Sequence, residues 1–256
     1  LPSPGVLVTR PRGQGDDLCA AVAAAGCSAH HLPMLLLISR EEPSPDHSRQ
    51  LRELDQFDHI IFISGNAVHS GMAWIAPYWP QLPQGPNWYA VGAATARLLL
   101  SYGIKAYVPE HEMTSEGLLA LPQLQQLAGQ RVLLVKGEGG RGALSQALSH
   151  RGGRVEELIC YCRVPPEMAP GELSRCLLQW NIMLVMISSG EGLANMLALL
   201  SPEETTKFSH ITLMVPSPRV AQIARQAGFS SVVIAENASD SAMLRALAAW
   251  QTTVGD

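Results

Sequence analysis

Two stretches decide the fold: Val6-Leu7-Val8-Thr9-Arg10-Pro11 and, half a chain later, Val132-Leu133-Leu134-Val135-Lys136-Gly137. Each is an apolar run of strand length that ends in polar or small residues. They also belong to a repeat. Val6, Leu18, Gly26 and Leu32 recur as Val132, Leu144, Gly152 and Leu158 at a constant spacing of 126, and Ile63-Ser64 and Val91 recur as Ile187-Ser188 and Val215 at a spacing of 124. Solenoid units repeat at roughly 20 to 50 residues, so a spacing this long predicts two similar domain-sized halves with a ligand cleft between them.

The local unit recurs along the whole chain. Apolar runs at 60–63, 89–91, 183–187 and 213–215 each end in a few small or polar residues, with Pro216-Ser217-Pro218 after the last, and helical periodicity follows. Near-continuous apolar strands alternating with helices require a parallel sheet covered on both faces. The expected class is α/β, with two doubly wound parallel-sheet domains joined by a two-strand linker. In such sheets ligands bind beyond the carboxyl ends of the strands. There Ser64, Thr114 and Ser188 read as helix caps, and the helix N-termini behind them favour carboxylates or phosphates.

Composition excludes several classes. With 18 Lys+Arg against 22 Asp+Glu, a net charge of -4 leaves no electrostatic basis for a nucleic-acid surface. No apolar run approaches a membrane span, and Leu1–Thr9 lacks the charged and apolar regions of a signal peptide, so a cytoplasmic protein is expected. Cys19, Cys27, Cys160, Cys162 and Cys176 have no metal-ligand spacing, and no metal is expected. Cys160 and Cys162 flank Tyr161 in a strand-like run, so strict alternation turns both thiols to one face as small buried hydrophobes. His30-His31 reads as a solvated strand entrance, His69 and His111 as surface residues near the crevice loops, and Glu110 and Glu112 as a solvated loop. Gly137-Glu138-Gly139-Gly140-Arg141-Gly142 fits GxGxxG between a strand and a helix. The acidic residue that would hold a ribose is misplaced, because Glu156 and Glu157 start the next strand instead of ending it. The glycines therefore read first as a tight turn and anion contact, and a nicotinamide-dependent oxidoreductase stays as an alternative. A two-domain small-anion binding protein is a second.

Thr9-Arg10-Pro11, Ser64-x-Asn66-Ala67-Val68, Val91-Gly92-x-x-Thr95-Ala96, Ser115-Glu116-Gly117-Leu118-Leu119, Tyr161-x-Arg163 and Ser217-x-Arg219 together resemble the uroporphyrinogen-III synthase family, in order over almost the whole chain. In that family a Thr often precedes the serine of both halves, where this chain has Ile63 and Ile187. The resemblance implies a discontinuous first domain, 1–38 with 166–256, and a second at 39–165, with crossings near Leu35–Arg40 and Tyr161–Pro166. It implies a lyase of heme biosynthesis without cofactor, and a monomer is expected because no long apolar seam is left over once the helices and strands are assigned. The enzyme would close hydroxymethylbilane, a linear tetrapyrrole bearing acetates and propionates, with inversion of ring D through a spiro intermediate. Transient contact with the enzyme that supplies this substrate is part of the same expectation. Tyr161, on the linker, is the implied acid, with Thr95 placed to bind a carboxylate or to assist that proton transfer. Thr9, Arg10, Ser64, Asn66, Gly92, Ser115, Gly117, Lys136, Arg141, Ser188, Ser189, Ser217 and Arg219 are the expected substrate contacts.

Overall fold

The computed structural model describes residues 3–109, 114–139 and 142–254. The chain divides into two compact units, one running to Leu36 and resuming at Val164, the other spanning Leu37–Arg163. The first unit opens with β1 (Gly5–Val8), α1 (Asp16–Ala24) and β2 (Ser28–His31). The second holds α2 (Pro45–Arg52), β4 (His59–Phe62), α3 (Gly65–Tyr78), β5 (Asn87–Ala90), α4 (Ala93–Ser101), α5 (Ser115–Leu119), β6 (Arg131–Gly137) and α6 (Ala143–His150). Strands β3 (Leu36–Ser39) and β7 (Arg154–Val164) carry the chain across the two boundaries. The first unit then resumes with α7 (Glu172–Gln179), β8 (Ile182–Met186), α8 (Gly190–Ala198), α9 (Pro202–Lys207), β9 (Thr212–Val215), α10 (Pro218–Gln226), β10 (Val232–Ile234) and α11 (Asp240–Val254).

Each unit is one five-stranded sheet, ordered β10-β9-β8-β1-β2 in the first and β3-β7-β6-β4-β5 in the second. The registered pairs of β1 with β2 and β8, and of β6 with β4 and β7, are all parallel. The sequence repeat maps onto these orders strand by strand: β1 and β6 are equivalent, as are β2 and β7, β8 and β4, and β9 and β5. Where β10 flanks β9, the second unit has, among the described residues, a parallel bridge from Tyr107 to Tyr89 on β5. The repeating halves of the sequence are therefore not the units, because β1-α1-β2 pairs with strands of the other half. Gly26 and Gly152, equivalent in the repeat, both follow a helix and turn the chain back toward the next strand with φ of +83° and +88°, a conformation that residues with a Cβ adopt only at a cost.

The strands are buried because their sequences allow nothing else. Val6, Leu7, Val8, Ile60, Ile61, Phe62, Val132, Leu133 and Val135 are all 0% exposed, and burying such a side chain contributes roughly 1.5–3 kcal/mol. Neighbouring residues serve opposite faces of one sheet: Val135 and Leu133 pack with Phe62 under α3, whereas Val132 and Leu134 pack with Ile61 under α6. Among the described residues no helix is long and apolar enough to cross a membrane.

Candidate functional site

In both sheets the topology reverses between two central strands, β1 and β8 in the first unit and β6 and β4 in the second. Beyond the carboxyl ends of such strands an open α/β sheet presents its ligand crevice. The expected site residues collect there, in two sets, one on each unit.

In the first unit Thr9 follows β1 and is buried, its hydroxyl donating to the Met186 carbonyl at 2.7 Å. That hydroxyl ties β1 to β8. Arg10 is paired with the Asp240 carboxylate, which neutralises its charge inside the unit, and it also donates to the Ala238 carbonyl. Ser189 caps α8 by accepting from the Gly192 N–H at 3.0 Å, and Ser217 caps α10 by accepting from Val220 N–H at 3.4 Å. The expectation that Ser188 is the cap is corrected. Ser189 and Ser64 are the equivalent residues, one position off the 124-residue spacing, because the chain after β8 takes one more residue to reach the helix. Arg219 is exposed and its guanidinium lies against Gly190 at the start of α8. It forms no ion pair among the described residues.

In the second unit Ser64 caps α3, accepting from Ala67 N–H at 3.1 Å. Asn66 lies half-buried in the first turn of the same helix. Gly92 precedes α4 with an extended backbone and provides no side-chain cap, and Thr95 is buried in that helix's first turn. Thr114 caps α5 and takes up the Gly117 N–H at 3.2 Å, so that amide is not free for a ligand. Lys136 is nearly buried and its ammonium meets Glu157 at 3.1 Å. The pair lines a pocket of about 140 Å³ with Ser115 and Ser145. Of the four basic side chains expected to hold carboxylates, two are thus internally paired, Arg219 is not, and Arg141 lies outside the described residues, as do Glu110, His111 and Glu112.

Tyr161 belongs to β7, the strand that carries the chain across the second boundary. It is 1% exposed, and its hydroxyl sits 3.2 Å from the Ser64 hydroxyl. The expected alternation of thiols around it fails: Cys160 and Tyr161, adjacent in sequence, are buried in the same core. Burial pushes the Cys160 thiol up to about 12, which leaves it inert, and all five cysteines are free. His30 is not at a solvated entrance either. It stacks on Trp180 with ring centres 4.8 Å apart, and burial lowers its pKa. His31 donates from Nε2 to the Arg10 carbonyl at 2.9 Å.

The pair of hydroxyls has a definite proton count. Ser64 Oγ already accepts from the helix, so one hydroxyl of the Tyr161–Ser64 pair donates to the other and a single O–H remains over. Ser64 is only half-buried, which makes it the end of the pair nearer the crevice. Sequence reasoning had no signal for Glu157 as the partner of Lys136 beyond its place on the neighbouring strand. It also had none for the use made of Gly137. The space its missing side chain leaves is filled by the Tyr161 ring, so packing accounts for a glycine at this position.

Comparison with known proteins shows the family. The family model described as uroporphyrinogen-III synthase HemD matches residues 16–245. The chain is 32% identical over 244 residues to the uroporphyrinogen-III synthase of Escherichia coli K12, covering 94% of this chain and 99% of that protein. Among solved structures, the fold resembles a mutant uroporphyrinogen III synthase from the extremely thermophilic bacterium Thermus thermophilus, with a TM-score of 0.62, 20% identity and 99% coverage of both chains. The Helicobacter pylori uroporphyrinogen-III synthetase matches with the same TM-score of 0.62 at 15% identity, covering 96% of this chain and 99% of that one.

Proposed function

Because the chain belongs to the uroporphyrinogen-III synthase family, we propose that it is a lyase that converts hydroxymethylbilane into uroporphyrinogen III and water. The observation that carries the chemical reading is the Tyr161–Ser64 pair with its one remaining O–H. Expulsion of the substrate's terminal hydroxyl as water needs a proton, and it leaves an azafulvene cation. The substituted carbon of ring D attacks that cation to form a spiro intermediate. Fragmentation and reclosure at the free position invert the ring, and the proton lost on rearomatisation restores the acid. In this reading Tyr161 supplies the proton through Ser64, and Thr95 lies one helix start away to orient the leaving group.

The acetates and propionates are received at the carboxyl edges of the sheets. First-turn N–H groups of α3, α4, α8 and α10 lack intrahelical partners and carry the positive ends of helix dipoles. Asn66, Gly92, Ser188, Ser189 and Ser217 line these turns, Ser115 and Gly117 belong to the short helix α5, and Arg219 forms no ion pair among the described residues. Thr9, Arg10 and Lys136 act by shaping the edges, since their polar groups are already bonded within their units. Free hydroxymethylbilane closes unaided to the type I isomer. The protein's work is therefore to hold one geometry, an effect of about 7–11 kcal/mol where positioning is complete.

The test is to supply freshly generated hydroxymethylbilane, oxidise the products and separate the type I and type III uroporphyrins by chromatography. Type III in excess, with no added cofactor, is the expected result. Type I alone, at the rate seen without protein, would overturn the proposal.

A further inference from the structure

We propose that Gly137, together with a β-bulge at Cys160, is the positioning device for Tyr161, an inference that rests on the proton-donor reading of that tyrosine. Along β6 and β7 the register runs Leu134 to Glu157, Val135 to Leu158 and Lys136 to Ile159, then jumps to Gly137 opposite Tyr161. Cys160 is the extra residue. Bulges of this kind re-aim a side chain beside a functional site.

The consequence can be followed residue by residue. Glu157 shares a face with Leu134 and Lys136, around the small pocket under α6. Strict alternation would send Tyr161 to the face of Glu157, because the two are an even number of residues apart. The inserted Cys160 turns it instead to the face of Leu158 and Val135, into the core under α3. That is the face from which Ser64 starts its helix.

On arrival the ring needs space above β6, and only a glycine leaves it. A Cβ at 137 would lie 2.3 Å from Tyr161 Cε2, 2.4 Å from Cζ and 2.9 Å from Cδ2. Gly137 is not among the residues with positive φ, so its backbone would accept any residue. The reason for glycine is the ring. Glu138 N–H then donates to the Tyr161 carbonyl at 2.8 Å and fixes the strand just beyond the bulge. The result is a phenol delivered across β6 to Ser64, 3.2 Å away. The first glycine of the glycine-rich run is thereby assigned a role with no phosphate in it.

The experiment is a pair of double-mutant cycles. Gly137→Ala should lower kcat on the order of a hundredfold, the effect of a misplacement of about 1 Å, with KM little changed. Added to Tyr161→Phe, the same substitution should lower kcat no further, since the hydroxyl it misplaces is already gone. Equal losses in both backgrounds, or no loss in the wild type, would overturn the proposal. Thermal unfolding supplies the second cycle and covers the case in which Gly137→Ala folds poorly. The destabilisation should be large beside Tyr161 and largely relieved beside Tyr161→Ala, where the new methyl enters vacated space; equal destabilisation in both backgrounds would refute the packing. Wild-type kcat in Tyr161→Phe would instead remove the proton-donor reading, while the unfolding cycle would still decide whether Gly137 seats the ring.

Discussion

Replacing Tyr161 by Phe removes one oxygen and leaves the buried ring where it is, which makes the two consequences separable. The lost contact is a 3.2 Å bond between two neutral hydroxyls, worth about 0.5–1.5 kcal/mol of stability. Ser64 is half-buried and keeps its bond from the Ala67 N–H, so its hydroxyl can turn to water and the loss falls at the low end. At about 2–4 °C per kcal/mol for a chain of this size, the melting temperature should drop by only a few degrees. Loss of a general acid is larger, about 10²–10⁴ in rate, or roughly 2.7–5.4 kcal/mol at 1.36 kcal/mol per tenfold. Initial rates of type III uroporphyrinogen formation should therefore fall at least a hundredfold in a protein that melts almost as before. Ser64→Ala should show the same rate loss, with an added stability loss of about 0.5–2 kcal/mol for the helix cap. The double variant should be no slower than the slower single one, because the two hydroxyls act as a unit. A folded Phe variant with wild-type turnover, or losses that multiply, would refute the reasoning.

Arg219→Gln should raise KM about ten- to a hundredfold, as expected for one charged hydrogen bond of about 1.5–3 kcal/mol, with kcat retained; steady-state kinetics should show the penalty shrinking at high salt. In the buried chain Tyr89–His59–Gln130, His59 donates from Nε2 to Gln130 and accepts at Nδ1 from Tyr89 at 2.9 Å. Tyr89→Phe strands that nitrogen and should cost about 1–3 kcal/mol by urea unfolding, without changing the product isomer. The His47 pKa is lowered by burial and then by the neighbouring Arg40, against an opposing effect of Asp46. Its contribution to stability is therefore complete above the ordinary value of 6.5 and is lost as pH falls through the depressed one. Calorimetry across that range should show the wild-type melting temperature falling, and His47→Gln should flatten the decline.

The class of fold was legible because its signals are local. Val6–Val8, Ile60–Ile63 and Val132–Val135 are too short for helices and too apolar for an exposed sheet. Ser64, which follows the second of them, caps α3 as its chemistry requires, whereas Thr9 after the first ties β1 to β8 instead. Assignments that needed the partner strand were less accurate. Two serines follow β8, both of a residue type that caps helices, and the cap is Ser189 where the 124-residue spacing points to Ser188. Arg10 and Lys136 read as open cations, since nothing in the sequence places Asp240 or Glu157 beside them.

By itself the sequence determined the α/β class, the repeat and the residues at the strand ends, since hydrophobic periodicity, capping and turn preferences act within a few residues. Only the tertiary structure decided which strand neighbours which. The repeat is the same whether β1-α1-β2 stays with its own half or joins β8, and the choice is made by long-range pairing. The tertiary structure likewise decided that a single extra residue in β7 turns Tyr161 into the core over Gly137. A bulge leaves the composition of a strand unchanged and shows only in its register against the next one.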